Sequence, residues 1–385
     1  MTTITPEESP SKERFLCRMG TVFLIAAERK KFDTYADELR DALQNDPRVQ
    51  WVKRPNLNTD FCAHAAVYPD SHGSSDDEVM RGSDALRAAN FDSPFIFKVV
   101  VPIKNQPQHH HADDIPTDTY WVAWDGVSLL VLWSHQSELI PLSGGQVILQ
   151  ILQEVTESIG MGVYNQSCSP SCTNVFMHAN LVIQQVDRED VFLLKAVERL
   201  VVNVYVSEVY DSEDLLLTLY YRFHQAIFHF SRQKNLGRRI IDLEAAAWTR
   251  ASHLLSHYAA HVDASATPAK KRIKMRWQNR GWRREVRSLS AQTWVCMTGI
   301  EVMLRRWRGA QNDFLGEAAE QDSMPVFLVD YQDEVKVIEH IDLSRLENIS
   351  GQVESRLDNR LVSLATAGGA ISGGITGALV SLIGG

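Results

Sequence analysis

Cysteine is scarce in this chain: five residues in 385, scattered as Cys17, Cys62, Cys168, Cys172 and Cys296. An odd, uneven set of this kind does not read as a disulfide framework, and a reducing compartment is consistent with it. Signature motifs are missing too. The sequence contains no P-loop, no Gly-x-Ser-x-Gly elbow, no dinucleotide fingerprint and no His-Glu-x-x-His. No cofactor is therefore expected, and the weight moves from catalysis toward a binding and membrane role. Residues 1–14 have no apolar signal-peptide core and carry Glu7, Glu8, Lys12, Glu13 and Arg14, so folding in the cytoplasm is the expectation. At 44% hydrophobic and 23% charged, the composition suggests neither general disorder nor a multi-spanning membrane protein. A length of 385 residues leaves room for two domains with separate cores.

Charge is absent from residues 361–385, where Ala365, Gly369, Gly373, Gly377, Ser381 and Gly385 recur at every fourth position. On a helix these small residues form one stripe. Such a stripe lets backbones approach closely, which is how helices associate in lipid, where escape from water drives nothing. The stretch exceeds the roughly 20 residues a membrane-spanning helix needs. Its seven glycines and five hydroxyl residues make the hydrophobicity marginal, and each glycine costs about 1 kcal/mol of helix stability in water. Conditional insertion is expected. A buried or oligomeric core helix and an unordered end are the alternatives, the second less fitting because unordered segments are usually polar and charged.

The net charge of −9 is unevenly spread: residues 270–308 hold twelve Lys or Arg against Glu285 and Glu301. The basic run comprises Lys270, Lys271, Arg272, Lys274, Arg276, Arg280, Arg283, Arg284 and Arg287, with Trp277 and Trp282 interleaved. Tryptophan favours the lipid headgroup zone, and each basic residue near an anionic surface contributes about 1 kcal/mol. The same composition suits phosphate contacts and base stacking on single-stranded nucleic acid. A third use is pairing with the acidic excess elsewhere, within the chain or between subunits.

Hydrophobic patterning predicts an α+β domain with a mixed sheet over 1–187 and a mainly helical domain over 188–360, followed by a glycine-zipper membrane helix over 361–385. Strands are expected over 15–27, 95–103, 120–124, 127–133 and 174–186, and helices over 30–43 and 144–159. Asp125-Gly126 reads as a type I′ hairpin turn. Farther on, helices are expected over 191–209, 215–233, 238–261 and 292–308, a hairpin or edge strand over 325–341, and helical spacing from Leu343 into the tail. This layout is similar in architecture to CorA-type magnesium channels. Their Gly-Met-Asn signature and second membrane helix have no counterpart here, so the resemblance implies no metal transport and no site residue.

Cys168 and Cys172 bracket Ser-Pro-Ser, with His178 six residues beyond, and Cys62 lies two residues before His64. Thiolate and imidazole are ligands zinc prefers, although structural sites usually show tight Cys-x2-Cys pairs; a metal-free loop thiol pair and a redox pair are the other readings. His109, His110 and His111 with Asp113 and Asp114 form a polar loop, with solvated histidines the plainer reading. Asp322, Glu334 and Lys336, or Glu28 with Lys30, have a spacing that Mg²⁺-dependent nucleases use, a short pattern that also recurs by chance.

Together these features lead to an expected function. The chain is read as a cytoplasmic effector, conditionally or stably associated with the inner membrane, whose tail oligomerises and permeabilises it, as in toxin or phage-defence cell suicide. Its expected partners are membrane lipids, further copies of itself, and a regulatory protein or small-molecule trigger. A soluble nucleic-acid-binding protein or nuclease with an oligomerising helix is the alternative, and a tail-anchored scaffold without lytic activity a third.

Overall fold

A computed structural model describes residues 14–25, 32–54, 64–67, 86–107, 115–136, 144–186, 191–198, 200–207, 211–266 and 281–352. Eleven strands join one mixed sheet: β1 (Arg14–Ile25), β2 (Val49–Lys53), β3 (His64–Val67), β4 (Leu86–Ala89), β5 (Phe95–Val100), β6 (Thr119–Trp124), β7 (Ser128–Ser134), β8 (Gly162–Gln166), β9 (Asn180–Val186), β10 (Phe192–Glu198) and β11 (Val201–Ser207). The main path runs β10-β11-β9-β1-β7-β6-β5-β2, while β4 and β8 also pair with β1, and β3 with β4. Only β9 and β11 pair in parallel among the described strands. The helices are α1 (Phe32–Asn45), α2 (Gln146–Ser158), α3 (Ser212–Ala266), α4 (Trp282–Glu320) and α5 (Met324–Glu339), with a further helical stretch at 344–352. An α+β architecture with a mixed sheet is thus as expected.

Central strands are apolar on both faces because both are covered. Leu16, Val22 and Leu24 of β1 and Leu129, Val131 and Trp133 of β7 share a core with Leu39 of α1 and Ile148 and Ile151 of α2. The alternate residues Phe15, Cys17 and Met19, with Leu130 and Leu132, pack in a second core with Leu216, Phe223 and Phe230 of α3, Phe314 of α4 and Phe327 of α5. This period-two alternation fixes the register, because a one-residue slip would exchange the two cores.

The described residues fall into two compact units, one running to Arg239 and taking in Leu304–Glu339, the other containing Ile240–Met303 and the described residues from His340 onward. In the second, α3 and α4 pack antiparallel around Leu254, Val286, Trp282, Leu289 and Ile349. Arg250 Nε donates to Gln292 Oε1 at 3.3 Å, and Gly299 admits Leu243, whose Cδ1 lies 3.4 Å from where a Cβ would stand.

Three expectations are corrected. Residues 191–209 are not a helix: Val202, Val204 and Val206 are buried while their neighbours are half-exposed, the period of a strand, and β10 and β11 form a hairpin there. The expected helices at 215–233 and 238–261 are one continuous 55-residue helix, α3, that passes through Gly237 unbroken. The expected hairpin or edge strand at 325–341 is instead a helix through Glu339, because Val326, Phe327, Asp330, Glu334 and Ile338 are buried at helical spacing and Pro325 stands in the first turn, where no amide donor is needed. Its β-branched content favours a strand, and the burial period overrides it. No helix among the described residues is long and apolar enough to cross a membrane, and residues 361–385 lie outside them.

Candidate metal centre

The segment between β8 and β9 is a tied loop. Cys168 N–H donates to the Asn174 carbonyl at 2.7 Å, Cys172 N–H to the Ser169 carbonyl at 3.2 Å, and Asn174 N–H to Cys172 Sγ at 3.3 Å. Its far end is fastened to β1, where Met177 N–H donates to the Met19 carbonyl at 2.8 Å and Phe176 bridges Gly20. A side chain at Gly20 would crowd the Val175 carbonyl, its Cβ falling 3.0 Å from that oxygen. This folding brings together Cys168, Cys172 and His178, whose ligand atoms all lie within 4.8 Å of one another. Cys168 is buried and Cys172 and His178 are half-buried, and neither thiol is in a disulfide.

Helix α5 supplies the facing side. Asp330, Asp333 and Glu334 recur at i, i+3 and i+4, the spacing of one helical face. The Asp330 carboxylate is fully buried; Oδ1 lies 2.6 Å from His178 Nδ1, and Oδ2 accepts the His178 main-chain N–H at 3.1 Å. Asp333 accepts from the Ser171 hydroxyl and from its N–H at 3.3 Å, holding the tip of the loop.

Helix α3 adds two cations. Lys234, itself buried, donates from Nζ to the Ser167 carbonyl at 3.2 Å and lies over the Phe230 ring; Arg238 donates to the Ser169 carbonyl at 2.6 Å and to the Ser167 hydroxyl. Glu334 accepts from Trp307 Nε1 at 3.3 Å, in space left by Gly237.

The charges respond to this enclosure. Burial, then the nearby Asp330 carboxylate, raises the Cys168 thiol, while donating a hydrogen bond to the Asp330 carboxylate raises the His178 imidazole. Burial lowers Lys234, lowers Arg18 to about 10, and raises Glu334 to about 7. Both cations still feel the Cys168 sulfur. The thiol, imidazole and carboxylate do not form a nucleophilic triad, because the sulfur and Asp330 approach the same imidazole nitrogen, Nδ1, rather than opposite ones. The set is a convergence of donor atoms.

The other candidate residues are either outside the described residues or on other elements. Ala365, Gly369, Gly373, Gly377 and Ser381 lie outside the described residues, as do Lys270, Lys271, Arg272, Lys274, Arg276, Trp277 and Arg280, and also Cys62, Glu28, Lys30, His109, His110 and His111. Arg283 lies in the first turn of α4, and Arg284 and Arg287 are exposed on that helix. Trp282 is packed beside Leu254 and Val286 and donates to the His257 carbonyl at 3.1 Å, so its indole N–H is already engaged. The nuclease-like pattern at Glu334 and Lys336 is not assembled. Residues two apart share a face on a strand but diverge by about 200° on a helix, and Glu334 is buried while Lys336 is exposed.

Asp330, Asp333, Lys234 and Arg238 were not singled out from the sequence. Their signal was available: acids and bases at i and i+4 within otherwise apolar helical periods mark buried polar contacts. Comparison with family models, with curated proteins and with solved structures finds no match to this chain.

Proposed function

We propose that this chain is an effector that acts on membranes. In particular, its uncharged segment 361–385 would enter the inner membrane, self-associate through Gly369, Gly373 and Gly377, and permeabilise it, a design suited to toxin or phage-defence cell suicide. The observation that carries this reading is the small residue at every fourth position through 25 uncharged residues. One marginal segment inserts poorly, whereas association of several copies adds packing energy and multivalent attachment.

Features of the second unit support the reading. Arg284 and Arg287, the last residues of the basic run, are exposed at the start of α4, and Trp248 and Leu255 of α3 with Trp294, Val295 and Val302 of α4 expose apolar surface. Basic residues draw a protein to an anionic leaflet, and exposed aromatic and aliphatic side chains suit its interface or a second copy.

Growth and membrane-potential dye uptake test this in cells expressing the full chain, a 1–360 truncation and Gly373→Leu, each with fractionation. The expected result is membrane association and depolarisation by the full chain alone. Membrane association without harm under any stimulus would instead mark an anchored scaffold. If the full chain stays soluble and harmless with candidate triggers supplied, the proposal fails. The exposed Arg284, Arg287 and Trp294 also favour single-stranded nucleic acid as a second reading. It requires a salt-dependent shift with single-stranded DNA or RNA that Arg283→Glu with Arg284→Glu abolishes, and absence of binding at low salt removes it.

A further inference from the structure

We propose that Cys168, Cys172 and His178, completed by Asp330, form a tetrahedral site for a divalent transition metal of the zinc type, which fastens the β8–β9 loop to helix α5. This inference is independent of the membrane reading.

The donor geometry is close to what such an ion requires. Bonds of about 2.3 Å to sulfur and 2.0–2.1 Å to nitrogen give a tetrahedral S···N edge of about 3.5 Å. Cys168 Sγ stands 3.7 Å from His178 Nδ1. A sulfur–sulfur edge of about 3.8 Å follows from the same bond lengths, and the 4.8 Å limit on all three separations leaves at most about 1 Å of contraction. The fourth corner falls to Asp330. Its Oδ1 lies beside the same imidazole nitrogen at 2.6 Å, and its Oδ2 accepts the His178 N–H; it stands next to the three-donor set rather than within it, so an ion would draw Oδ1 from the imidazole toward the sulfurs. Ligation replaces the Nδ1 proton with the ion and moves oxygen and nitrogen apart to an edge of about 3.3 Å.

The supporting shell is in place as well. Asn174 N–H already donates to Cys172 Sγ, a bond that favours the sulfur as an anion, and Asp333 clamps the loop through Ser171 between the two cysteines. Two thiolates, one carboxylate and a divalent ion sum to −1. The buried Lys234, held on the Ser167 carbonyl next to Cys168, offsets that charge. A disulfide would use the same thiols but would leave the approach of the His178 imidazole to both of them without a role.

Reduced full-length protein, stripped of metal and titrated with Co²⁺ and then Zn²⁺, tests the proposal. The expected result is about one ion per chain, with the sulfur-to-cobalt charge-transfer band and the intense visible bands of tetrahedral coordination, both bleached by Zn²⁺. Cys168→Ser and His178→Ala should each lose the bands, Asp330→Asn should weaken affinity by at least the roughly 10–100-fold that loss of an outer-shell partner costs, and Cys296→Ser should leave binding unchanged. Circular dichroism of each variant guards against loss by unfolding, and the half-buried Cys172→Ser serves if Cys168→Ser does not fold. Absence of stoichiometric uptake by the reduced wild-type chain, bands without sulfur character, or full affinity in folded Cys172→Ser would each overturn it. So would a Cys168–Cys172 disulfide whose reduced form takes up no metal.

Discussion

Glu334 is a carboxyl group enclosed by protein, with Trp307 Nε1 as its hydrogen-bond donor and Gly237 leaving the room it occupies. Burial raises it from an ordinary 4.5 to about 7, so the folded chain holds this proton more tightly than the unfolded one. Its contribution to stability is therefore fully present below the unfolded value and declines as pH rises toward the folded value. Between about pH 4.5 and 7 the wild type should lose on the order of 3 kcal/mol relative to Glu334→Gln, which cannot ionise. Denaturant midpoints of both proteins across that interval check this; parallel curves would contradict it. Gly237→Ala tests the same packing from the other side. An added Cβ would stand 1.9 Å from Glu334 Oε1, and because that oxygen is buried and bonded, moving it should cost about 1–3 kcal/mol despite alanine's better helix propensity. In the Glu334→Ala background the penalty should largely vanish, a coupling that a double-mutant cycle measures.

The β6–β7 hairpin carries the same reasoning to an element. Asp125-Gly126 is a turn, as its sequence indicates, but Asp125 has no positive φ; Gly126 does, at 89°, and Leu129 pairs with Trp124. Gly126 is thus the first central residue, the pattern of a type II′ turn rather than I′. Asp125 instead closes the turn with its side chain, accepting from Val127 N–H at 2.7 Å, Ser128 N–H at 2.6 Å and the Tyr220 hydroxyl at 2.8 Å. Gly126→Ala would force an unfavourable φ and set a Cβ 2.3 Å from the Ala89 carbonyl oxygen, so a loss of more than about 2 kcal/mol is expected by chemical denaturation. A midpoint within error of wild type would show that the strand carrying Ala89 can shift freely. The contrast with α5 explains what the sequence could disclose. Short-range signals such as Asp-Gly between the apolar runs 120–124 and 127–133 locate an element without reference to the rest of the chain. Helix α5 and the β10–β11 hairpin are rich in Val, Ile and Leu, and there only the burial period decides between helix and strand. That misreading hid the candidate metal centre as well. Cys168, Cys172 and His178 were legible as donors, whereas Asp330 lies about 150 residues away and becomes a neighbour only once α5 is helical and packed on the loop.

Across the whole molecule, the basic run lies within a chain of net charge −9, followed by an uncharged segment after residue 360. In the membrane reading these two features act in sequence, and they should separate experimentally. Docking on anionic vesicles is governed by charge and weakens as salt screens it, over a Debye length of about 10 Å at 0.1 M. Permeabilisation depends on packing within the bilayer and is largely insensitive to salt once the segment is inserted. Reversing Arg284 and Arg287, both exposed, to Glu should cut vesicle binding by at least about tenfold at low ionic strength, since each basic residue near the surface contributes about 1 kcal/mol. Both variants should dock on neutral vesicles no better than wild type. The 1–360 truncation should show the reverse phenotype, with salt-sensitive docking retained and dye leakage lost. Co-sedimentation and leakage assays on the same vesicles give both quantities. If truncation abolishes docking as well as leakage, the basic run is not a lipid contact, and its nine cations must be assigned to acidic protein surface or to nucleic acid.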